Sequence, residues 1–312
     1  MKQILSFLVL SIGLVLGYVT PVTAAPARTQ KSVAPLGIDI SYPQCKGTLP
    51  TSQAFTVVGV NGGKASTANP CLAKQLLAAA RATGSGLQPK VQLYVNTGSP
   101  GDYIDLVASW PNDNTYKGAV STPPSTYGEC KTDDKGVGQN SVACAWQYGW
   151  ERAYDDVNLH LGPAINEANA KGAKLSTDPA SYVWWLDVET MNSWQEDVAT
   201  DPDAYRKNVA ALEGMIAQFK SYGNTKVGLY STNYQWNKIV GNAVLETSPL
   251  YGLDTWYALD QTTVSVARKA CYDRTIAEPL TGVGAITLTQ FISGNQDYDV
   301  ACADVDPPLP TV

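Results

Sequence analysis

Two acidic residues, Asp187 and Glu189, stand two positions apart at the end of the apolar run YVWWLDVE. In an extended strand such residues face the same side, with Cβ atoms roughly 6 to 7 Å apart. Their mutual repulsion, together with desolvation by apolar neighbours such as Val183 and Trp185, is expected to raise the pKa of one acid. A carboxyl group that stays protonated near neutral pH is suited to donate a proton to a glycosidic oxygen.

The sequence has few residues that could support other kinds of catalysis. Its one histidine, His160, lies in the helical stretch VNLHLGPAINEANA, where a surface or packing role is expected. The chain has no GxSxG motif, no CxxC motif and no free thiol if its six cysteines pair, so neither a metal nor another cofactor is expected. The residue inventory therefore favours glycoside hydrolysis, although two acids on one strand are a weak signal by themselves.

Eight β-rich segments must position these residues. Longer segments with helical periodicity lie at 71–84, around 142–171 and at 203–222, whereas the final third has strands joined mostly by loops. This order predicts an α/β fold in which a parallel sheet closes into a TIM-like barrel. The alternative, a doubly wound open sheet, lacks a GxGxxG loop after its first strand. The predicted strands are 36–41, 55–60, 91–96, 182–189, 226–231, 254–259, 285–292 and 297–302.

The carboxyl ends of the strands form the working face of such a barrel. Most of the polar residues expected there are carboxylates, amides or phenols: Asp39, Ser41, Gln44, Asn96, Asp187, Glu189, Tyr230, Gln290 and Asp299. Tryptophans can stack on sugars in either a catalytic or a binding site, although at least half of the following are expected in the core: Trp185, Trp194, Trp236 and Trp256.

Six short motifs occur in an order that resembles the glycoside hydrolase family 25 lysozymes. They are GIDIS-x-x-Q at 37–44, WLDVE at 185–189, VGLYS at 227–231, TWYA at 255–258, LTQF at 288–291 and YDVAC at 298–302. The resemblance implies a modified barrel over 36–304, with five strand–helix units followed by three strands with little helix.

The same resemblance assigns roles to individual residues. It implies that Glu189 is the proton donor, that Asp187 assists the N-acetyl group of the substrate, and that Asp39 and Asp299 line the cleft. Gln44, Asn96, Tyr230, Trp256 and Gln290 are expected to bind substrate. The predicted function is retaining, substrate-assisted hydrolysis of an N-acetylated glycan, with peptidoglycan as the first candidate.

Two departures distinguish the chain from well-studied muramidases. Its third strand reads LYVNTGSPG where the family has an aromatic-rich segment, and an insertion at about 97–177 carries an additional cysteine pair. The chain resembles poorly characterised secreted relatives more closely. A non-catalytic glycan- or cell-wall-binding protein on the same scaffold is therefore an alternative, and an extracellular structural module is a third.

The termini and cysteines indicate export. Residues 1–24 have the layout of a cleavable secretory signal, followed by a linker at 25–35 and, after the barrel, a tail at 305–312. An uncleaved membrane anchor is the alternative for 1–24. Six cysteines allow 15 pairings, and the preferred set joins nearest neighbours because each pair brackets a loop: Cys45–Cys71, Cys130–Cys144 and Cys271–Cys302.

Charge limits the choice of partners. Removal of Lys2 with the signal leaves 21 of the 22 basic residues against 28 acidic ones, without any basic tract. Nucleic acid is therefore not an expected partner. We expect a secreted monomer that acts on a glycan and is not inserted in a membrane after signal cleavage.

Overall fold

A closed ring of eight strands forms the centre of the protein. The computed structural model describes residues 35–50, 52–101 and 109–305, so the predicted signal, most of the linker, most of the tail and part of the insertion lie outside the described residues. All eight predicted strands are present. They are β1 (Gly37–Ile40), β2 (Thr56–Gly59), β3 (Val91–Asn96), β6 (Val183–Asp187), β7 (Lys226–Ser231), β8 (Asp254–Gln261), β9 (Ile286–Ser293) and β10 (Gln296–Ala301).

The strand order confirms a barrel and excludes the open sheet. Strands β1, β2, β3, β6, β7, β8 and β9 pair in parallel, and β10 closes the ring by pairing antiparallel with both β9 and β1. A two-residue loop joins β9 to β10, with Gly294 at a φ of 65°. Such a tight turn reverses the chain, so the first residues of β10, not its last, lie at the face where the other strands end.

Six α-helices surround the described part of the barrel. They are α1 (Leu72–Ala79), α2 (Val142–Asp155), α3 (Gly162–Ala170), α4 (Ala204–Lys220), α5 (Asn233–Val240) and α6 (Val264–Ala270). A π-helical segment at Asp156–Leu161 joins α2 to α3, so the long helical run predicted at 142–171 is continuous. The short helices α5 and α6 were not predicted; each begins after a threonine whose side chain accepts a hydrogen bond from a first-turn amide.

Helices follow the second to sixth strands of the ring. The connection after β1 contains a short 3₁₀ helix, Tyr42–Lys46, because Pro43, Gly47 and Pro50 disfavour a longer helix there. The five strand–helix units expected from the resemblance therefore begin at β2 instead of β1. At the end of the ring, β9 passes directly into β10.

The alternation of side chains along the strands separates two environments. On β6, Trp184 and Leu186 face the helices, where Trp184 stacks on Phe219 with ring centroids 4.3 Å apart. Trp185 and Asp187 project from the opposite face, and Trp185 joins the aromatic cluster inside the barrel. The interior of the barrel is therefore the place where the first acid of DVE is held.

The insertion joins the helical layer through a close helix crossing. In α2, a Cβ on Gly149 would lie 1.8 Å from the carbonyl oxygen of Ala211 in α4. Likewise, a Cβ on Gly214 of α4 would lie 1.9 Å from the carbonyl oxygen of Trp146 in α2. Only glycine permits two helix backbones to approach so closely. The remaining described strands, β4 (Thr115–Tyr116) and β5 (Ala119–Val120), form a separate hairpin within the insertion.

All six cysteines are paired in the preferred way. The bonds Cys45–Cys71, Cys130–Cys144 and Cys271–Cys302 have Cα–Cα distances of 5.6, 4.4 and 5.2 Å. These pairs tie a loop to α1, close part of the insertion on α2, and join the end of α6 to the end of β10. Among the described residues, no helix is both long enough and apolar enough to cross a bilayer.

The close crossing of α2 and α4 at Gly149 and Gly214 leads to a prediction about stability. Gly149→Ala should lower the free energy of unfolding by about 3 kcal/mol or more, because the new methyl group overlaps the backbone of α4. Gly162→Ala is the matched control, since a Cβ there would meet only the Val157 carbonyl oxygen at 3.5 Å. Urea denaturation measures both variants. Equal stabilities for the two would contradict the close crossing.

Candidate active site

A cavity of about 170 Å³ opens at the end of the barrel where the parallel strands finish. Its lining combines four acids with aromatic and amide side chains, and includes six of the residues proposed from sequence together with two that were not. The lining residues are Asp39, Tyr94, Asp187, Glu189, Tyr230, Trp256, Gln290 and Asp297.

The strand β6 and the segment after it deliver the acid pair. Asp187 is the last residue of β6 and only 5% exposed, and its buried Oδ1 has no hydrogen-bond partner among the residues that the structure describes. Glu189 follows two residues later and is half-buried. Its carbonyl oxygen accepts a hydrogen bond from Nε1 of Trp194 at 2.8 Å, which holds the backbone at this point. A buried oxygen without a partner makes the ionised form of Asp187 costly.

The environment favours the protonated forms of both acids. Burial raises the pKa of Asp187 well above its ordinary value, and the charges of Glu189 and Asp39 raise it further. Burial also raises the pKa of Glu189, whereas a hydrogen bond from Gln235 lowers it and the charge of Asp297 raises it. A carboxyl group in this state can act as a general acid under mildly acidic conditions.

A chain of hydrogen bonds runs from Tyr230, the neighbour of Asp187 on β7, through Gln290 to Asp39. The hydroxyl group of Tyr230 donates to Oε1 of Gln290 at 2.8 Å, and Nε2 of Gln290 donates to Oδ2 of Asp39 at 2.9 Å. Burial, followed by the charge of Asp297, nevertheless raises the pKa of Asp39 to about 7, although the bond from Gln290 lowers it. The orientation of the Gln290 amide is thereby set from both sides.

Aromatic rings form the inner wall of the cavity. Trp256 is 1% exposed, and the ring centroids of Tyr230, Trp185 and Tyr94 lie 4.4, 6.0 and 6.1 Å from its own. Nε1 of Trp256 donates to Oδ1 of Asp299 at 2.8 Å. This bond satisfies the indole nitrogen inside the barrel, so Trp256 has both a packing role and a surface on the cavity.

The last strand contributes Asp297 to the cavity where sequence reasoning selected Asp299. In the antiparallel pairing of β10 with β1, Asp299 is opposite Gly37 and Tyr298 is opposite Ile38, which places Asp297 level with Asp39. Asp299 is completely buried deeper in the barrel. The Gly294 turn was the available signal, because a two-residue hairpin loop predicts a reversed strand. Tyr94 could have been found from its period-two spacing with Asn96.

Two other proposed substrate-binding residues lie outside the cavity lining. Oε1 of Gln44 accepts a hydrogen bond from the amide of Ser41 at 2.9 Å and stabilises the turn after β1. Asn96 and Asn61 exchange three hydrogen bonds of 2.9 to 3.0 Å that link the ends of β3 and β2. In this structure both side chains support the strand ends.

A larger cleft of about 690 Å³ lies beside Trp194. Two of its acids are engaged in ordinary surface interactions: Oδ2 of Asp201 is 2.7 Å from Nζ of Lys207, and hydrogen bonds from Thr200 lower the pKa of Asp197. The smaller cavity is therefore the better candidate for acid–base chemistry. Among the described residues, no group of three or more His, Cys, Asp or Glu side chains is arranged to hold a metal ion.

Residues 167–273 match the family described as Lysozyme-like protein 1. This segment runs from α3 to just beyond α6 and contains Asp187 and Glu189. Lysozyme-like protein 5 of Caenorhabditis elegans is 37% identical over 78 residues, which are 25% of this chain and 29% of that protein. The chain thus spans less than a third of the length of this curated relative. The similarity to lysozyme-like proteins seen in the motifs is confirmed for the matched segment.

Solved structures were also found among the similar proteins. A family 25 glycosyl hydrolase from Bacillus anthracis has a TM-score of 0.42 at 13% identity, with 85% of this chain and 88% of that chain covered. A muramidase from Trichobolus zukalii has a TM-score of 0.43 at 16% identity, with 86% and 93% covered.

The buried position of Asp39 generates a prediction for stability against pH. A pKa of about 7 in the folded protein, against an ordinary value of 3.8, means that the folded state holds this proton more tightly than the unfolded state. The stability contributed by the protonated group is present below pH 4 and is lost as the pH rises through 7. Asp39→Asn should therefore exceed the wild type in free energy of unfolding at pH 8, by at most about 4 kcal/mol, and resemble it at pH 4.

Urea unfolding at the two pH values measures this difference. The exposed Asp134 supplies the control Asp134→Asn, for which the difference from wild type should not change with pH. A pH-independent difference for Asp39→Asn would contradict the proposed desolvation of Asp39.

Proposed function

We propose that the protein is a secreted lysozyme-like glycoside hydrolase that cleaves N-acetylated glycans, with peptidoglycan as its substrate. The observation that carries this proposal is the placement of Asp187 and Glu189, both with raised pKa values, in one cavity lined by aromatic and amide groups. The lysozyme-like match over 167–273 supports the same activity. Three disulfides agree with an oxidising extracellular compartment.

The mechanism begins with Glu189 in its protonated form. Glu189 donates its proton to the glycosidic oxygen while the carbonyl oxygen of the substrate's 2-acetamido group attacks the anomeric carbon. The glycosidic bond breaks as the new carbon–oxygen bond forms, which leaves an oxazolinium ion on the sugar. In this step Asp187 is ionised: its carboxylate accepts a hydrogen bond from the acetamido N–H and stabilises the cation, whose positive charge in turn favours the ionised form of Asp187.

Water completes the reaction. The ionised Glu189 takes a proton from a water molecule, which attacks the anomeric carbon and opens the oxazolinium ring. Two displacements at the same carbon retain the configuration of the sugar. The substrate supplies the nucleophile, so Asp187 has an orienting and electrostatic role.

The size of the cavity indicates how the glycan is held. About 170 Å³ is smaller than the roughly 300 Å³ at which pockets for drug-sized ligands begin. It suits the single sugar ring at which the bond is broken, seated among the residues that line the cavity. The rest of the glycan then extends from the mouth of the barrel.

Glu189→Gln tests the acid role. We expect normal folding and a loss of at least about 100-fold in the release of reducing ends from purified peptidoglycan, because the amide has no acidic proton to donate. Glu246→Gln is the matched control, since Glu246 is exposed and lies between α5 and β8, at the opposite end of the barrel. Full activity in Glu189→Gln would remove Glu189 from the acid role. If the wild type and Glu189→Gln both bind peptidoglycan and neither releases reducing ends, the non-catalytic alternative is favoured.

Removal of acetyl groups from the substrate tests the participation of the acetamido group. De-N-acetylated peptidoglycan should be cleaved at least about 100-fold more slowly, because an amine cannot form the oxazolinium ring. Chemical re-acetylation of the same material should restore cleavage, and proton NMR should show the retained anomer as the first product. Equal rates on both materials, or the inverted anomer, would contradict substrate assistance.

A further inference from the structure

Two hydroxyl groups hold the backbone of the acid pair from opposite sides. Oγ1 of Thr97, directly after β3, donates to the carbonyl oxygen of Asp187 at 2.6 Å. Oγ of Ser231, the last residue of β7, donates to the carbonyl oxygen of Val188 at 2.6 Å. Strands β3 and β7 are the two neighbours of β6 in the ring. Only two peptide groups connect Asp187 to Glu189, and each of them is therefore bonded to a different neighbouring strand end.

These bonds lie where the regular sheet stops. β6 ends at Asp187. On one side, Thr232 caps α5 instead of continuing β7, and the hydroxyl group of Ser231 supplies the donor for Val188. On the other side, Thr97 donates to the Asp187 carbonyl oxygen with its amide at 3.1 Å as well as with its hydroxyl group. Side chains thus extend the fixation of the backbone beyond the end of the strand.

Burial makes both hydroxyl groups difficult to replace. Thr97 is 1% exposed, and Ser231 and Val188 are completely buried. Water therefore has little access to the carbonyl groups that these side chains bind, and a buried acceptor that loses its donor is costly. Oδ1 of Asp187 has no partner among the described residues. The position of this carboxyl group therefore depends largely on the backbone that carries it.

Thr97 is also the first residue of the insertion, where the sequence departs from the well-studied muramidases. Two residues later, the amide of Ser99 donates to the carbonyl oxygen of Ser193 at 2.8 Å. Ser193 precedes Trp194, whose indole nitrogen donates to the carbonyl oxygen of Glu189. The start of the insertion is thereby anchored to both ends of the segment that carries the acids.

We propose that Thr97 and Ser231 are positioning residues that fix the carboxyl groups of Asp187 and Glu189 relative to each other. The inference rests on the proposed function of this acid pair. Neither Thr97 nor Ser231 lines the cavity, so both act on the reaction only through the two peptide groups between the acids. A misplacement of about 1 Å at a reacting group can cost about 100-fold in rate.

Removal of each hydroxyl group tests the proposal. Thr97→Val keeps nearly the same shape and retains the amide bond of residue 97. Its kcat on purified peptidoglycan should fall about 10-fold with KM nearly unchanged, because the acids are displaced while the groups that contact substrate remain. Ser231→Ala should show the same split between kcat and KM. Thr97→Ser keeps a hydroxyl group and should recover most of the wild-type kcat.

Thr225→Val is the matched control. Oγ1 of Thr225 donates to the carbonyl oxygen of Phe219 at 2.7 Å, and Thr225 is 5% exposed. It directly precedes β7 and so lies at the opposite end of the barrel. This variant should lower the urea midpoint about as much as Thr97→Val while it keeps the wild-type kcat. Equal losses of kcat in these two variants would overturn the inference alone. Wild-type kcat in both Thr97→Val and Ser231→Ala, with Glu189→Gln inactive, would do the same.

Amide hydrogen exchange in the substrate-free protein tests the positioning without reference to activity. The amide of Val188 takes part in a hydrogen bond of 2.9 Å to β7. Its exchange should be about 10-fold faster in Thr97→Val and in Ser231→Ala, because the segment opens locally more often. Exchange at Leu229, in the middle of β7, should be unchanged, and Thr225→Val should leave Val188 unaffected.

Unchanged exchange at Val188 in both Thr97→Val and Ser231→Ala would overturn the inference. A wild type that hydrolyses no glycan would overturn the proposed function, and the exchange measurement would still decide whether the two hydroxyl groups hold this segment.

Discussion

The concentration of carboxyl groups inside one end of a barrel, without a basic residue among the groups that line the cavity, is the constraint on which the site depends. Each buried acid costs free energy when it ionises, and the cost rises with each ionised neighbour. Burial raises the pKa of these acids and so favours their protonated forms, while Gln290 and Trp256 donate hydrogen bonds to Asp39 and Asp299. The same conditions that oppose ionisation give a carboxyl group its capacity as an acid.

Closure of the barrel makes this arrangement possible. Parallel strands bring Asp39 and Asp187 to the same end, and the reversed last strand adds Asp297 beside Asp39. The surrounding framework is tied together by three disulfides and by the contact between α2 and α4 at Gly149 and Gly214. Such a framework can hold side chains in strained electrostatic surroundings, because stability supplied elsewhere offsets the local cost.

Much of the fold was predictable because its signals are local. The eight strands are marked by short β-rich runs between turns, and the acid pair follows from the two-residue period of β6. The short helices α5 and α6 were missed because they contain weaker helix formers such as Asn, Tyr, Ser and Val, whereas the equally short α1 consists entirely of Ala, Leu, Lys and Gln. Asp297 was missed because β10 was not recognised as antiparallel to β1. The antiparallel direction places the first residues of β10, and not its last, at the cavity. Thr97 and Ser231 lie far from the acid pair in sequence, and only the fold brings them together.

A crystal structure of Glu189→Gln with a bound N-acetylated peptidoglycan fragment would test the proposed mechanism most directly. We predict one sugar ring in the cavity, with its glycosidic oxygen within hydrogen-bond reach of the residue 189 side chain and its acetamido N–H donating to the carboxyl group of Asp187. A fragment bound with its acetamido group turned away from Asp187, or seated in the larger cleft beside Trp194, would contradict it.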